Sequence, residues 1–293
     1  MTETTVDRSL PAAVLPEGPA RRSWGAAAVY RWELTKLAAQ WWVWAILFGC
    51  FAGPFAFAVA LRVQSTEPTD TLFGRWVHDT GFAIPLVVLG FAGQWAFPLL
   101  SCLVAGDMFS SENRHGTWKT ILTRSRSRTD ILVGKSLAAA TYSVAVVLAV
   151  AVGSIVSGLL LIGHQPFVNL SGTLVPAGQA TVLVALSWVT VLPPVLGFTA
   201  MGLLFSLVTR NSIAGVLGPA AVGVVMQMFA FVNGFDPVRH LLLTTPFDAW
   251  HGLLADQPYY GPLREGSLAC AAYVVICMAA AYVVMRRRDF TEG

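Results

Sequence analysis

The residues that could do acid–base or metal chemistry lie between the long apolar stretches of this chain. Its five histidines all fall in connecting segments, as His78, His115, His164, His240 and His251. A serine nucleophile needs a nearby base, zinc needs several clustered ligands, and an ion-coupled carrier usually keeps an ionisable group near the bilayer midplane. No Asp, Glu, Lys, Arg or His lies deep within an apolar stretch, so we expect no catalytic, cofactor-binding or metal site there. The energy for any transport should therefore come from outside these stretches.

Three motif-like patterns carry little information. Gly134-Lys135-Ser136 looks like the end of a phosphate-binding loop, but Thr129 stands where the first glycine is required. Asn169-Leu170-Ser171 fits a glycosylation sequon, a match that is common by chance. The four cysteines have no CxxC spacing and fall in apolar stretches, so we interpret them as buried structural thiols.

The length of the apolar stretches predicts a membrane protein. Charged residues make up 12% of 293 positions, about half the usual share of roughly 25%. A spanning helix needs about 20 largely apolar residues, and charge-free intervals of at least that length recur along the chain. They predict an all-α polytopic membrane protein with six spans, at about 42–61, 82–106, 137–161, 180–207, 212–232 and 267–285.

The distribution of positive charge predicts the orientation. With both chain ends placed inside, the inner segments hold fifteen Lys and Arg residues and the outer loops hold four. The positive-inside rule then places both termini in the cytoplasm, with the chain in the cytoplasmic (inner) membrane. We expect residues 1–22 to be a disordered cytoplasmic leader and residues 23–293 to form the transmembrane domain.

Further elements are predicted around the spans. Residues 24–40 predict a helix on the inner membrane surface, since their apolar and charged residues would lie on different faces of that helix. Pro193-Pro194 predicts a break in the fourth span, and Thr209-Arg210-Asn211 predicts a tight inner turn.

The outer segment 233–266 is predicted to contain a helix. Thr245-Pro246-Phe247-Asp248 has a cap residue, a proline at the first position and an acid, which is typical of a helix start. Phe247, Trp250 and Leu254 would then line one face. We expect this segment to be re-entrant, dipping back into the outer leaflet.

The inner loop 107–135 is the most informative segment. Trp118, Ile121 and Leu122 form a short apolar stripe, flanked by Arg114, Lys119 and Arg124. This pattern suits a helix that lies along the membrane surface and presents a face to the cytoplasm. The alternative is that the cations of the loop only satisfy the topology.

The motif Glu112-x-x-x-Gly116-Thr117, followed by Ser127-Arg128-x-x-Ile131-Leu132-x-Gly134-Lys135, resembles the ABC-2 class of ATP-binding-cassette transporter permeases. Glu33-Leu34-x-Lys36-Leu37 is similar to the N-terminal element of that family, and Arg287-Arg288-Asp289 to its usual ending. One departure is that the family often has a proline shortly before the Ser-Arg pair, where this chain has Ser125-Arg126. The resemblance is nearest to permeases of antibiotic or peptide export and self-immunity.

This resemblance implies a fold and a division of labour. The fold has an N-terminal interfacial elbow helix, six spans, a cytoplasmic coupling helix and a re-entrant outer segment. The chain would be a permease and not an enzyme, while a separate ABC ATPase subunit holds ATP and magnesium. The expected assembly is two ATPase copies with two permease chains, a homodimer or a related heterodimer, among membrane lipids and without nucleic acid.

The resemblance also implies roles for single residues. Glu112, Gly116, Thr117 and Trp118 would couple the loop to the ATPase, while Arg128 and Lys135 would anchor it at the lipid headgroups. The apolar face of the outer segment, Phe247, Trp250 and Leu254, would form an outer gate. The structural alternatives stay open: a plain turn at Gly116, topology charges at the two cations, and an ordinary packed outer loop.

Two functions follow. The first is export of an amphiphilic or apolar cargo, such as a drug, lipid or peptide, because the spans are free of charge. The alternative is a non-transporting scaffold or sensor subunit that binds a cytoplasmic partner through its basic inner loop. A neighbouring gene for an ATPase with a complete P-loop would favour the first.

Overall fold

The computed structural model of the protein describes residues 25–63, 71–114, 127–230 and 239–287. Within these ranges, six helical stretches are long and apolar enough to cross a membrane: Trp41–Val63, Ala83–Glu112, Arg128–Leu161, Ala177–Thr209, Ser212–Phe229 and Gly261–Arg287. The prediction of six spans is confirmed. The third and sixth begin earlier than predicted, because each helix continues through polar first turns that an apolar pattern does not register. The predicted leader, 1–22, lies outside the described residues.

Helices account for most of the described chain. In chain order they are α1 (Ala26–Ala38), α2 (Trp41–Val63), α3 (Ala83–Phe91), α4 (Phe97–Asp107), α5 (Ser110–Arg114), α6 (Arg128–Leu161), α7 (Ala177–Thr190), α8 (Leu192–Thr209), α9 (Ser212–Ala230) and α10 (Gly261–Arg287). A π-helical turn, Ala92–Ala96, joins α3 to α4, and 3-10 helices cover Gly74–Trp76 and Thr245–Leu254. Two short antiparallel strands, β1 (Phe167–Val168) and β2 (Leu174–Val175), form a hairpin between the third and fourth spans.

Prolines explain the interruptions of two spans. The fourth span breaks at Val191, two residues before Pro193, which confirms the predicted break. In the second span the π-helical turn precedes Pro98. Proline lacks the N–H that would bond the carbonyl of Gln94 four residues earlier, and a π-turn is a common local adjustment within an α-helix.

The fourth span is the most buried of the six, followed by the second and the third. In the fourth span 67% of the apolar window is buried, against 17% in the first and 22% in the fifth and sixth. The first span packs along α6, and α8 packs against α4, α9 and α10. The outer spans therefore present broad apolar faces, with side chains such as Phe48, Ile213 and Val275 exposed, as a lipid environment requires.

The predicted turn between the fourth and fifth spans is confirmed. The fourth span ends at Thr209 and the fifth begins at Ser212. Arg210 closes α8 in the left-handed conformation, with φ 57°, and the side-chain oxygen of Asn211 accepts from the amide of Ile213 at 2.9 Å. This turn lies at the inner end of the bundle, the end that the positive-inside rule assigns to the cytoplasm.

Candidate functional site

A buried ammonium group stands at the inner end of the bundle. Lys135, in the second turn of the third span, is 1% exposed. Its Nζ donates to Glu33 at 2.7 Å, to the carbonyl of Met108 at 3.1 Å and to Glu112 at 3.2 Å. The ammonium group of a lysine has three N–H donors, so these three acceptors use all of them. The ring of Phe109 lies 5.8 Å from the ammonium.

Glu112 shares its carboxylate between two lysines. The same oxygen that accepts from Lys135 also accepts from Lys36 at 2.8 Å. Burial acts to lower the pKa of Lys36, but the hydrogen bond to Glu112 and the nearby charges of Glu33, Glu112 and Asp107 outweigh it and raise that pKa. We call Glu33, Lys36, Glu112 and Lys135 the inner charge cluster; its two acids and two bases balance in charge.

The motif Gly134-Lys135 has a structural explanation in this cluster. A side chain at Gly134 would meet Cβ of Val29 at 2.5 Å and the carbonyl of Ala26 at 2.9 Å. Glycine therefore lets α1 lie directly on the third span, and this close approach brings Glu33 to Lys135. The resemblance to a phosphate-binding loop reflects helix packing plus an ion pair.

A group of serines joins the inner ends of the second, fourth and fifth spans. The hydroxyl of Ser206 accepts from the amides of Phe109 and Ser110, both at 3.1 Å. The hydroxyls of Ser110 and Ser212 are 2.9 Å apart, and Ser212 donates to Asp107 at 2.5 Å. We call Ser110, Ser206, Ser212 and Asp107 the serine clamp, because it holds the start of α5 against two other spans.

The second and fifth spans approach each other most closely at a pair of glycines. A Cβ on Gly106 would lie 2.5 Å from the carbonyl of Gly215, and one on Gly215 would lie 2.4 Å from the carbonyl of Gly106. Only glycine permits this backbone contact. The two helices therefore pack directly next to the serine clamp.

The Ser127-Arg128 pair caps two helices. The hydroxyl of Ser127 accepts from the amide of Asp130 at 3.0 Å at the start of the third span, a standard N-cap arrangement. The guanidinium of Arg128 donates to the last carbonyls of the sixth span, to Met285 at 3.0 Å and to Arg286 at 2.9 Å. The end of the inner loop is thereby attached to the C-terminal end of α10.

The two residues predicted to anchor the loop at lipid headgroups each have partners within the protein. Lys135 is buried among Glu33, Glu112 and Met108 and is out of reach of headgroups. Arg128 is half-buried and binds the end of the sixth span. The sequence identified both residues but could not name the partners, which lie far away along the chain.

The predicted coupling residues are described only in part. Glu112 is turned inward, 6% exposed, within the inner charge cluster. Gly116, Thr117 and Trp118 lie outside the described residues, as does the remainder of the predicted coupling helix beyond Arg114.

The predicted outer gate residues are packed inside the bundle. A helix stands where one was predicted, in 3-10 form, over Thr245–Leu254. Phe247 is 1% exposed and stacks between Phe97 and Phe198, with ring centroids 6.4 and 6.2 Å away. Trp250 lies 5.9 Å from the ring of Phe73. This face contacts protein side chains, and not the lipid of the outer leaflet that its apolar character had predicted.

The β-hairpin holds the end of this outer 3-10 helix. The amide of Leu170 donates to the carbonyl of Leu254 at 3.0 Å. Asn169 donates to Asp256 at 2.7 Å, Thr173 donates to the same carboxylate, and these two bonds lower the pKa of Asp256. The amide nitrogen of the sequon is thus engaged and Asn169 is 9% exposed, so this residue is a poor glycosylation acceptor.

The profile of the ABC-2 family transporter proteins matches residues 30–229. The chain belongs to this family. In this ABC-2 protein the match includes most of α1, the inner charge cluster, the serine clamp and the first five spans, while the outer 3-10 helix and the sixth span lie beyond it. Membership supports a membrane subunit of a transporter, distinct from the ATPase itself. No curated protein matches the sequence.

Several residues that this ABC-2 protein brings together were not predicted from the sequence. Glu33 and Lys36 were noted in the motif of α1, but their pairing with the second and third spans was not predicted. One available signal was that the motif residues Glu33, Lys36, Glu112 and Lys135 are two acids and two bases in a charge-poor chain. Ser206 gave no signal, because a serine in an apolar helix usually bonds its own backbone.

Proposed function

We propose that this ABC-2 protein is the permease subunit of an exporter, driven by a separate ATPase that acts on the inner loop. One observation carries this proposal. The first residues of that loop, Met108 to Glu112, form hydrogen bonds with α1, with the third span and with the fourth and fifth spans. A displacement of the loop would therefore move several spans together.

The inner charge cluster supports a rigid connection at this point. Hydrogen bonds to charged groups are short and strong, and Glu112 makes two, to bases on different elements. The loop returns to the bundle at Arg128, which holds the sixth span. Both ends of the loop are thus fastened, and the force from an ATPase bound between them would reach the spans instead of bending the loop.

An apolar or amphiphilic cargo is favoured by the surface of the first two spans. A groove of about 570 Å³ lies between them, lined by apolar side chains and glycines that include Ile46, Gly53, Phe57, Phe91 and Leu100. The lining contains no charged side chain that could bind an ion. A small charged cargo would find no partner in this groove.

The exporter function is tested on a reconstituted complex. The permease should co-purify with an ABC ATPase, in a complex of two copies of each, and the ATPase rate in liposomes should rise with one member of a panel of amphiphilic drugs, lipids and peptides. Failure to bind any ATPase would refute the exporter and favour the scaffold or sensor.

The role of the cluster has its own test in the same complex. Glu112→Gln should keep the permease in the membrane but reduce cargo-stimulated ATPase activity by about tenfold or more, since a hydrogen bond to a charged group contributes roughly 1.5–3 kcal/mol. Glu265→Gln, an exposed acid at the other end of the bundle, is the matched control. Equal activities of the two variants would exclude Glu112 from coupling without affecting the exporter function.

A further inference from the structure

The tight turn between the fourth and fifth spans holds its backbone in an unusual conformation. Arg210 has φ 57° and is the only residue other than glycine with a positive φ in the part of the chain that the structure describes. This left-handed conformation is costly for a residue with a Cβ atom. Glycine, or less often asparagine, is the usual residue at such a position after a helix. An arginine here therefore makes the turn less stable than it could be.

The other residues of the turn supply its hydrogen bonds. The hydroxyl of Thr209 donates to the carbonyl of Phe205 at 2.8 Å. The side-chain oxygen of Asn211 accepts from the amide of Ile213 at 2.9 Å, which caps the start of α9. Arg210 is exposed, and its guanidinium makes no hydrogen bond or ion pair with any residue that the structure describes. Its side chain thus adds nothing to the turn that glycine would lack.

The charges at helix ends do not explain the arginine either. A cation is favourable at the C-terminal end of a helix and unfavourable at the N-terminal end. Arg210 directly follows the C-terminal end of α8 and stands two residues before Ser212, the first residue of α9. The two opposite end charges lie side by side at this turn, so their effects on the guanidinium oppose each other.

Membrane orientation requires a cation near this turn, but not at this position. The neighbouring positions 209 and 211 are also exposed, and neither has a positive φ. An arginine at either of them would satisfy the positive-inside rule without the cost of the left-handed conformation. A residue held in such a conformation is a reason to look for a function.

The turn has a fixed place at the inner end of the bundle. Two residues after Arg210, the hydroxyl of Ser212 lies 2.9 Å from that of Ser110 in the serine clamp. In the next turn of α9, Gly215 contacts the backbone of Gly106. The backbone of Arg210 is therefore held close to Ser110, the first residue of α5 and part of the inner loop. An exposed cation stands beside the segment on which the proposed ATPase acts.

A fixed cation suits a partner that is equally fixed. Lipid headgroups move and can reach an arginine at any exposed position near the membrane surface, so they give no reason for this costly one. A carboxylate on a folded protein has one place, and arginine binds it through two parallel N–H donors. The position of Arg210 therefore favours an acidic side chain on a protein that covers this part of the inner end.

We propose that Arg210 is a docking residue that binds a surface carboxylate of the ATPase, outside the inner loop 107–135. The inference rests on the proposed exporter, because it names a contact between the permease and its ATPase. The serine clamp joins this turn to the start of the inner loop. An ATPase bound to both would hold the clamp from two sides, and its movement would reach the second, fourth and fifth spans together.

Substitution should change stability and binding in opposite directions. Arg210→Asn introduces a residue that accepts the left-handed conformation and should raise the Tm of the purified permease by about 1–3 °C. The same variant, in nanodiscs, should bind the ATPase that co-purifies with the wild type with a Kd about tenfold higher or more, as truncation of an interface arginine often does. Arg210→Lys keeps the charge without the paired donors and should have an intermediate Kd and an unchanged Tm.

The control for the loss of one positive charge is Arg264→Asn, at an exposed arginine on the outer side, which should leave the Kd unchanged. If Arg210→Asn binds the ATPase as tightly as the wild type, the inference is refuted and the exporter is unaffected. If the wild-type permease binds no ATPase, the proposed exporter fails and the inference fails with it.

A photo-crosslink identifies the partner of this turn directly. The full permease, with its four native cysteines replaced by alanine, carries Arg210→Cys or Ile213→Cys, labelled with benzophenone maleimide and irradiated in the complex with the ATPase in nanodiscs. Ile213 is 68% exposed and apolar, so position 213 is the control and should give phospholipid adducts. Position 210 should give a crosslink to the ATPase. Phospholipid adducts alone at both positions would overturn the inference and assign Arg210 to the lipid headgroups.

Discussion

Lys135→Met removes one charge from the inner charge cluster and leaves two acids to share one base. In the wild type the ammonium of Lys135 stands 2.7 Å from Glu33 and 3.2 Å from Glu112. Without it, Glu33 loses its ion pair while remaining 3% exposed. Methionine has a similar length and an apolar stem, so the change removes the charge and leaves little empty space.

The expected cost follows from burial. At an effective dielectric constant of about 20, the two contacts are worth about 6 and about 5 kcal/mol in Coulomb energy, before the cost of removing the charges from water. Breaking a buried pair by removing one partner typically costs about 3–5 kcal/mol. Lys36→Met should cost only about 0–1 kcal/mol, because the side chain of Lys36 is 39% exposed and its pair is screened by solvent.

Thermal unfolding in detergent, followed by tryptophan fluorescence, measures the difference. At about 2 °C per kcal/mol for a chain of this size, Lys135→Met should lower Tm by about 6–10 °C and Lys36→Met by about 2 °C at most. Arg264→Met, at an exposed base on the outer end, is the control and should change Tm by about 1 °C or less.

A second substitution separates charge from packing. The double variant Lys135→Met, Glu33→Gln again has a balanced pair, Lys36 with Glu112, and should recover most of the lost stability. If Lys135→Met and Lys36→Met cost the same, or if Glu33→Gln adds to the loss instead of relieving it, the reasoning from buried charge is wrong.

Three further predictions concern helix packing, orientation and the hairpin. Gly134→Ala should lower Tm, because the new methyl group meets α1 and should cost about 1–3 kcal/mol of stability. Gly178→Ala, at a position that faces open space, should leave Tm unchanged. A cysteine at residue 170 should react with an impermeant maleimide in intact cells and one at residue 115 should not, and the reverse result would overturn the topology. Because hydrogen bonds lower the pKa of Asp256, the stability that it gives the hairpin is present above 3.8 and is lost as pH falls through the depressed value. Hydrogen exchange of residues 167–175, corrected for intrinsic rates, should accelerate there, and Asp256→Asn should show fast exchange already at neutral pH.

Local features of the sequence were sufficient for the spans and their interruptions. An apolar run of about 20 residues has no stable alternative to a membrane or a protein core, so six spans could be predicted without any contact between them. Pro193-Pro194 interrupts a helix wherever it stands, because a missing N–H and a ring clash are properties of the residue itself. The tight turn at Arg210 likewise depends on neighbours in the chain.

The motif residues show how far such reasoning extends. Gly134, Lys135, Ser127 and Arg128 were singled out by their spacing, and each proves to have a definite contact. The spacing did not reveal whether Lys135 would contact lipid or protein. That depends on α1, which reaches Lys135 only because Gly134 has no side chain.

Tertiary structure alone decided the partners of the charged and polar groups. Glu33 and Lys135 are far apart in the chain, and the serines of the clamp come from three spans. Hydropathy follows from the composition of one segment, whereas the burial of a charge depends on which helices close around it. The sequence by itself therefore determined a membrane protein with six spans, and only the packing of those spans decided where its few charges act.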